Sequence, residues 1–151
     1  TASNGTSLVA GTTRRPILSI KPSLTFQSKT NRSLIEEISS NLVAKNNDCY
    51  FEIVYNGTLT GASFTNVDTA SSTMMYDTSA TAISGGTVIY SGFCPSGIGA
   101  AIQSGISFDL SSRLPLVVDI DGLTSTPMSI VATSFSGTSN VSSVFNWKEV
   151  Y

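Results

Sequence analysis

Apolar residues along the chain fall into short β-branched and aromatic runs separated by turn residues, and the clearest pair of runs brackets the middle of the sequence. Phe51 to Tyr55 and Thr87 to Phe93 both read as strands. Between them, Asn56-Gly57, Gly61 and Gly85-Gly86 supply residues that reach positive φ at little cost, separated by short pieces such as Ala62 to Thr65 and Met74 to Tyr76. This pattern predicts a ladder of strands joined by turns.

The flanks continue it. Ile17 to Lys21 lies between Pro16 and Pro22, and proline cannot donate to a ladder, so an edge strand or an extended arm is expected there. Ser33 to Ala44 carries two signals. Ser33-Leu34-Ile35-Glu36 matches a helix capping box, with Leu34, Ile38 and Leu42 at helical spacing, yet the alternation around Ile38 and Leu42 in β-rich surroundings favours a strand. Asn46-Asn47-Asp48 then turns the chain into Cys49 to Tyr55. Downstream, Pro95 to Gly105 reads as a small-residue loop, Ile106 to Leu110 as a strand, and Leu114 to Ile120 as a buried strand. Met128 to Phe135 and Val141 to Tyr151 complete the set, after turns at Asp121-Gly122 and Gly137 to Asn140. Short strands at this spacing predict an all-β fold, a two-sheet antiparallel β-sandwich of jelly-roll type. Residues 1–16 are expected to form an extended basic N-terminal arm and residues 17–151 a single sandwich domain, a length sufficient to bury a core without metal or disulfide support. Trp147 is the only tryptophan, and its place so near Tyr151 ties the last strand into a core or an interface.

Composition narrows the function. Charged residues are 12% of the chain, whereas Ser and Thr make up roughly three in ten, so a weakly charged, hydroxyl-rich surface is expected. Such a surface suits protein neighbours or neutral sugar and suits nucleic acid poorly, since phosphate affinity needs clustered cations. The charge is nevertheless segregated: Arg14, Arg15, Lys21, Lys29 and Arg32 are five of the eight basic residues, and no acid precedes Glu36. A basic arm on a mildly acidic body fits an acidic neighbour or a second copy. No run of about 20 apolar residues predicts a membrane span, and no charged segment followed by an apolar one marks a signal peptide.

Candidate chemistry is sparse. The absence of histidine removes the commonest general base and metal ligand together. Cys49 and Cys94 are too few for a disulfide framework and are expected as buried free thiols. Asp119-Ile120-Asp121-Gly122 resembles the opening of a calcium loop, but Leu123 to Pro127 supplies no further carboxylates, so a strand-ending turn is expected. Adjacent Glu36 and Glu37 cannot readily flank one glycosidic bond, and Ser96 lacks both a nucleophile-elbow pattern and an activating base. Tyr50, Tyr55, Tyr76, Tyr90 and Trp147 are offered to a core or subunit interface before any sugar. The sequons at Asn4, Asn31, Asn56 and Asn140 are what so Ser- and Thr-rich a chain produces by chance. No catalytic, metal or cofactor-binding residue is expected.

One resemblance adds to this. Gly11-Thr12-Thr13-Arg14-Arg15-Pro16-Ile17-Leu18-Ser19-Ile20-Lys21-Pro22, Thr30-Asn31-Arg32, Tyr55 to Phe64 and Thr81 to Ile89, with Leu114-Pro115-Leu116 and Ser129 to Ser134, resemble a recurring module of tailed-bacteriophage virion proteins. These motifs are structural. The resemblance implies a repeated, symmetric, non-enzymatic component at the phage particle surface. A capsid decoration (cement) protein, a homotrimer bridging the major capsid protein or another virion protein, is the first expectation; the alternative is a tail fibre or spike tip that binds a host glycan. Arg14, Arg15, Lys21, Arg32, Trp147 and Tyr151 are the expected partner-binding residues.

Overall fold

The computed structural model describes residues 1–97, 105–110 and 116–151. Its strands are, in chain order, β1 (Ala2–Ser3), β2 (Leu8–Ala10), β3 (Arg15–Pro22), β4 (Thr25–Phe26), β5 (Lys29–Thr30), β6 (Leu34–Lys45), β7 (Cys49–Tyr55) and β8 (Thr58–Thr60). There follow β9 (Thr65–Asn66), β10 (Met74–Asp77), β11 (Ala82–Ser84), β12 (Thr87–Cys94), β13 (Ser96–Gly97), β14 (Gly105–Asp109), β15 (Met128–Ser134) and β16 (Ser139–Val150). No helix occurs among the described residues. The first sheet is built on β16 and β6, with β1 and β2 on the outer side of β16 and β13 and β14 on the outer side of β6. The second runs β12-β7-β15-β3-β10-β9. The chain crosses between sheets from β6 to β7 and from β15 to β16, and the two inner faces close on one core, a two-sheet β-sandwich.

The disputed segment is strand, and its helical spacing has a local cause. Asn146 pairs with Ser39 but Lys148 with Glu36, so β6 holds one more residue than β16 across this step. Such a bulge resets alternation. Ile35 and Ile38, three apart, therefore both reach the core, after which Ser40, Leu42 and Ala44 are buried at every second position. A spacing of four satisfies a helix and a strand alike, and the bulge supplied the remaining helix-like step.

Three expectations are corrected. The Ile17 to Lys21 run is not at an edge: β3 lies inside the second sheet, between β15 and β10. Its prolines are accommodated by position, since Pro16 sits where the β3–β15 register shifts and Pro22 is the last residue of the strand. The N-terminal residues are extended, but the boundary drawn after residue 16 falls within β3, and β1 and β2 are hydrogen-bonded to β16 with Ala2 and Ala10 buried. They are part of the sandwich because β16 offers an outer edge that needs partners. The Leu114 to Ile120 run is not a continuous buried strand in its described part. Leu116 and Val118 form isolated bridges and are buried, while Val117 and Ile120 face solvent. Leu114 and Pro115, Arg113, and the 98–104 part of the predicted loop lie outside the described residues.

Hydroxyls enter the interior as well as the surface. Ser19 and Ser129 are register partners with their Oγ atoms 2.7 Å apart, both fully buried, and Ser139 Oγ donates to the carbonyls of Lys45 and Asn47. Each buried hydroxyl so paired avoids the cost of an unmet polar group. Cys49 and Cys94 are free, buried and directly opposite across β7 and β12, and burial raises the pKa of each thiol. On the outer face of the second sheet, the β8–β11 ribbon covers Val54 and Val131 with Ile83 and Leu59. The approach is so close that Gly86, at φ +78°, would place a Cβ 2.8 Å from the Gly57 backbone.

Candidate interaction surfaces

The six residues expected to bind a partner do not form one patch, and each is engaged within the chain. Arg14 Nε donates to Glu52 Oε2 at 2.7 Å, so a cation of the basic segment neutralises an acid of the second sheet. Arg15 Nη1 donates to the Val9 carbonyl at 2.6 Å, while its Nε is buried with no hydrogen-bond partner among the described residues. Lys21 Nζ stands 4.3 Å over the Phe64 ring. Arg32 donates through Nη1 and Nη2 to the carbonyls of Asp119 and Ile120, clamping the 119–124 turn. That turn is held by Asp119, which accepts from the N–H groups of Leu123 and Thr124 and from the Thr124 hydroxyl; these bonds lower its pKa. Among the described residues no three His, Cys, Asp or Glu side chains are grouped to hold a metal ion.

Trp147 and Tyr151 belong to one site at the far end of β16. Strand parity that buries Val141, Ser143 and Phe145 carries on to Trp147 and Glu149, so these face inward where the core gives way to Ser72 and Thr73. Glu149 accepts from the Ser72 hydroxyl at 2.6 Å, the Thr73 N–H at 2.7 Å, the Thr73 hydroxyl at 2.9 Å and Trp147 Nε1 at 2.8 Å. Desolvation alone would raise the Glu149 pKa, but these donors outweigh it and the carboxyl is held below its ordinary value. Tyr151 adds its hydroxyl, 2.8 Å from the Ser71 carbonyl and 3.2 Å from Glu149 Oε2, and its ring stacks on Phe26 with centroids 5.9 Å apart and planes inclined by 25°. Beside this stack lies an open groove of about 500 Å³ between the β4–β5 hairpin and residues 70–71.

A second aromatic group sits on the outer face of the second sheet, near the start of β16. Phe93 on β12 and Tyr50 on β7 are cross-strand partners with rings 5.7 Å apart, and Phe135, just past β15, lies 5.6 Å from Phe93. Phe93 is 66% and Phe135 58% exposed. The strand of Phe93, β12, is the end strand of its sheet among the described residues, eight residues long and without Lys or Pro, the residues that usually blunt an edge. Sequence reasoning placed Tyr50 among core or interface aromatics but did not single out Phe93 and Phe135; the signal was their outward parity beside Cys94 and Ser134, both buried. Of the remaining aromatics, Tyr55, Tyr76, Tyr90 and Trp147 pack against the core.

No family model matches the chain, and neither a curated protein nor a solved structure matches it.

Proposed function

We propose that this chain is a non-enzymatic structural protein of a bacteriophage particle: a capsid decoration (cement) protein that works as a homotrimer and bridges capsid subunits at the particle surface. The observation that carries the reading is the β12 edge, unpaired among the described residues, with the Tyr50, Phe93 and Phe135 cluster beside it. Exposed aromatic rings adjoining open backbone donors and acceptors are suited to cover by protein, where rings supply apolar area and the edge supplies register. Covering the exposed part of Phe93 or of Phe135 contributes about 2–4 kcal/mol at ~25 cal/mol per Å². Repeated by symmetry, contacts of this size add through effective concentration, so no single strong site is required. The resemblance of the strand and turn motifs to phage virion modules supports the same reading.

Light scattering on the purified chain should give the mass of three copies, and protein quantification of particles should give hundreds of copies. A monomer at all accessible concentrations that also fails to attach to particles lacking it would refute the proposal.

A further inference from the structure

We infer that the groove beside the Phe26–Tyr151 stack is a binding site for an acidic saccharide, a pyranose unit bearing one carboxylate, independent of the assembly role proposed above. The hairpin that forms one wall is held in an unusual conformation. Its two turn residues, Gln27 and Ser28, take φ of 48° and 63°, the left-handed region that tight hairpins normally assign to Asn and Gly. Strain of this kind persists where surrounding structure enforces it. Here Asn31 enforces it from below: the Asn31 N–H donates to the Leu24 carbonyl, its Nδ2 to the carbonyls of Ser23 and Thr73, and its Oδ1 accepts from the Ser33 N–H. The opposite wall is equally fixed, since Asp68 accepts from the N–H groups of Ala70 and Ser71, and Tyr151 reaches the Ser71 carbonyl.

Fixed walls leave a particular set of groups unspent. Gln27 and Lys29 line the groove, and their side chains make no hydrogen bond or ion pair among the described residues; Lys29 is the cross-strand partner of Phe26 and shares its face of the hairpin. Among the described residues Lys29 carries the only charged side chain that lines the groove. Tyr151 is 73% exposed and its ring is stacked on Phe26, leaving an outer ring face on which the C–H face of a pyranose can stack. Gln27 can exchange hydrogen bonds with ring hydroxyls, and Lys29 can pair with a carboxylate. One cation beside two rings is too little for a nucleic-acid backbone.

Saturation-transfer NMR on the full chain tests this with three probes: an oligogalacturonate, sialyllactose and neutral maltotetraose. Transfer to one or both acidic probes is expected, with maltotetraose weaker by about tenfold, the size of one charge-assisted hydrogen bond. Lys29→Ala should bring the acidic probes down to the neutral level while Lys29→Arg keeps the preference, and Phe26→Ala should remove transfer to all three. The two acidic probes separate a uronate from a sialate site. Phe26 lies on a two-residue strand outside both main sheets, so an unchanged melting temperature verifies the fold of that variant. No transfer from any probe at millimolar concentration, equal transfer from acidic and neutral probes, or transfer that survives Phe26→Ala would each overturn the inference.

Discussion

The two aromatic groups at opposite ends of β16 differ in what surrounds the rings, and that difference separates their uses. At the Phe93–Phe135 end the rings are exposed on a sheet face beside a strand edge that is unpaired among the described residues, and they pack on one another. At the Tyr151 end, roughly 35 Å away along the strand at ~3.3 Å per residue, the rings adjoin a carboxylate that collects donors from four residues, and a groove lined with amide, ammonium and hydroxyl groups. A dry cluster is completed by apolar area from a neighbour, whereas a polar-rimmed one is completed by a ligand that brings hydroxyls of its own. Aromatic content alone would not have told them apart.

The strongest perturbation of this contrast is to delete residues 147–151, which removes the polar end entirely. Trp147 leaves the core, Glu149 no longer satisfies Ser72 and Thr73, and β6 loses its pairing from Leu34 to Glu36. Loss of a packed Trp alone costs about 3–5 kcal/mol. A chain ending at Asn146 should therefore melt far lower or fail to fold. An unchanged melting temperature by circular dichroism would show that the terminal strand does not anchor this end.

Glu149→Gln is subtler and should cost about 1–3 kcal/mol, because one carboxylate oxygen becomes an NH₂ that faces donors instead of accepting from them. Chemical denaturation would measure it. The same carboxylate, with Asp77, makes stability pH-dependent. Asp77 is buried; desolvation would raise its pKa, but the Ser79 hydroxyl and the N–H groups of Ser63, Ser79 and Ala80 hold it lower. Both groups thus have folded pKa values below their unfolded ones. Their contribution is fully present above the unfolded values near pH 4 and is lost as pH falls through the folded values. Melting temperature should fall on the acid side of about pH 4, and Asp77→Asn should flatten that limb while lowering stability at pH 7.

Much of this architecture was legible in the chain. The runs at 51–55 and 87–93 are neighbouring strands, and Asn46 and Asn56 take the positive φ that turn positions require. What stayed hidden depends on long-range register. Nothing local to Ile17 to Lys21 indicates that β15 and β10 flank it, because prolines at both borders read alike for an edge strand and for an inner strand ending at a bulge. The basic residues were visible as a cluster in sequence, yet Glu52 and the carbonyls of Val9, Asp119 and Ile120 that engage Arg14, Arg15 and Arg32 come from three separate places in the chain. The groove was invisible for the same reason: Phe26 and Tyr151 meet only because β16 returns to the hairpin side of β6.

The smallest effect on stability, and the one that tests the contrast most directly, belongs to the dry end. Replacing Phe93 and Phe135 together by Ser removes ring area that is already mostly solvated, so the isolated fold should change by no more than about 1 kcal/mol. Melting temperature should hardly move. The same double variant deletes the apolar area that a neighbouring chain would cover, so light scattering should report monomers, against the trimer proposed for the unaltered chain. Because stability and association are read separately, the outcome distinguishes a covered surface from a strut of the fold. If the variant unfolds, these rings act within the chain and the two ends of β16 are alike in kind. If it stays trimeric, the neighbour docks elsewhere and the open edge of β12 serves no assembly.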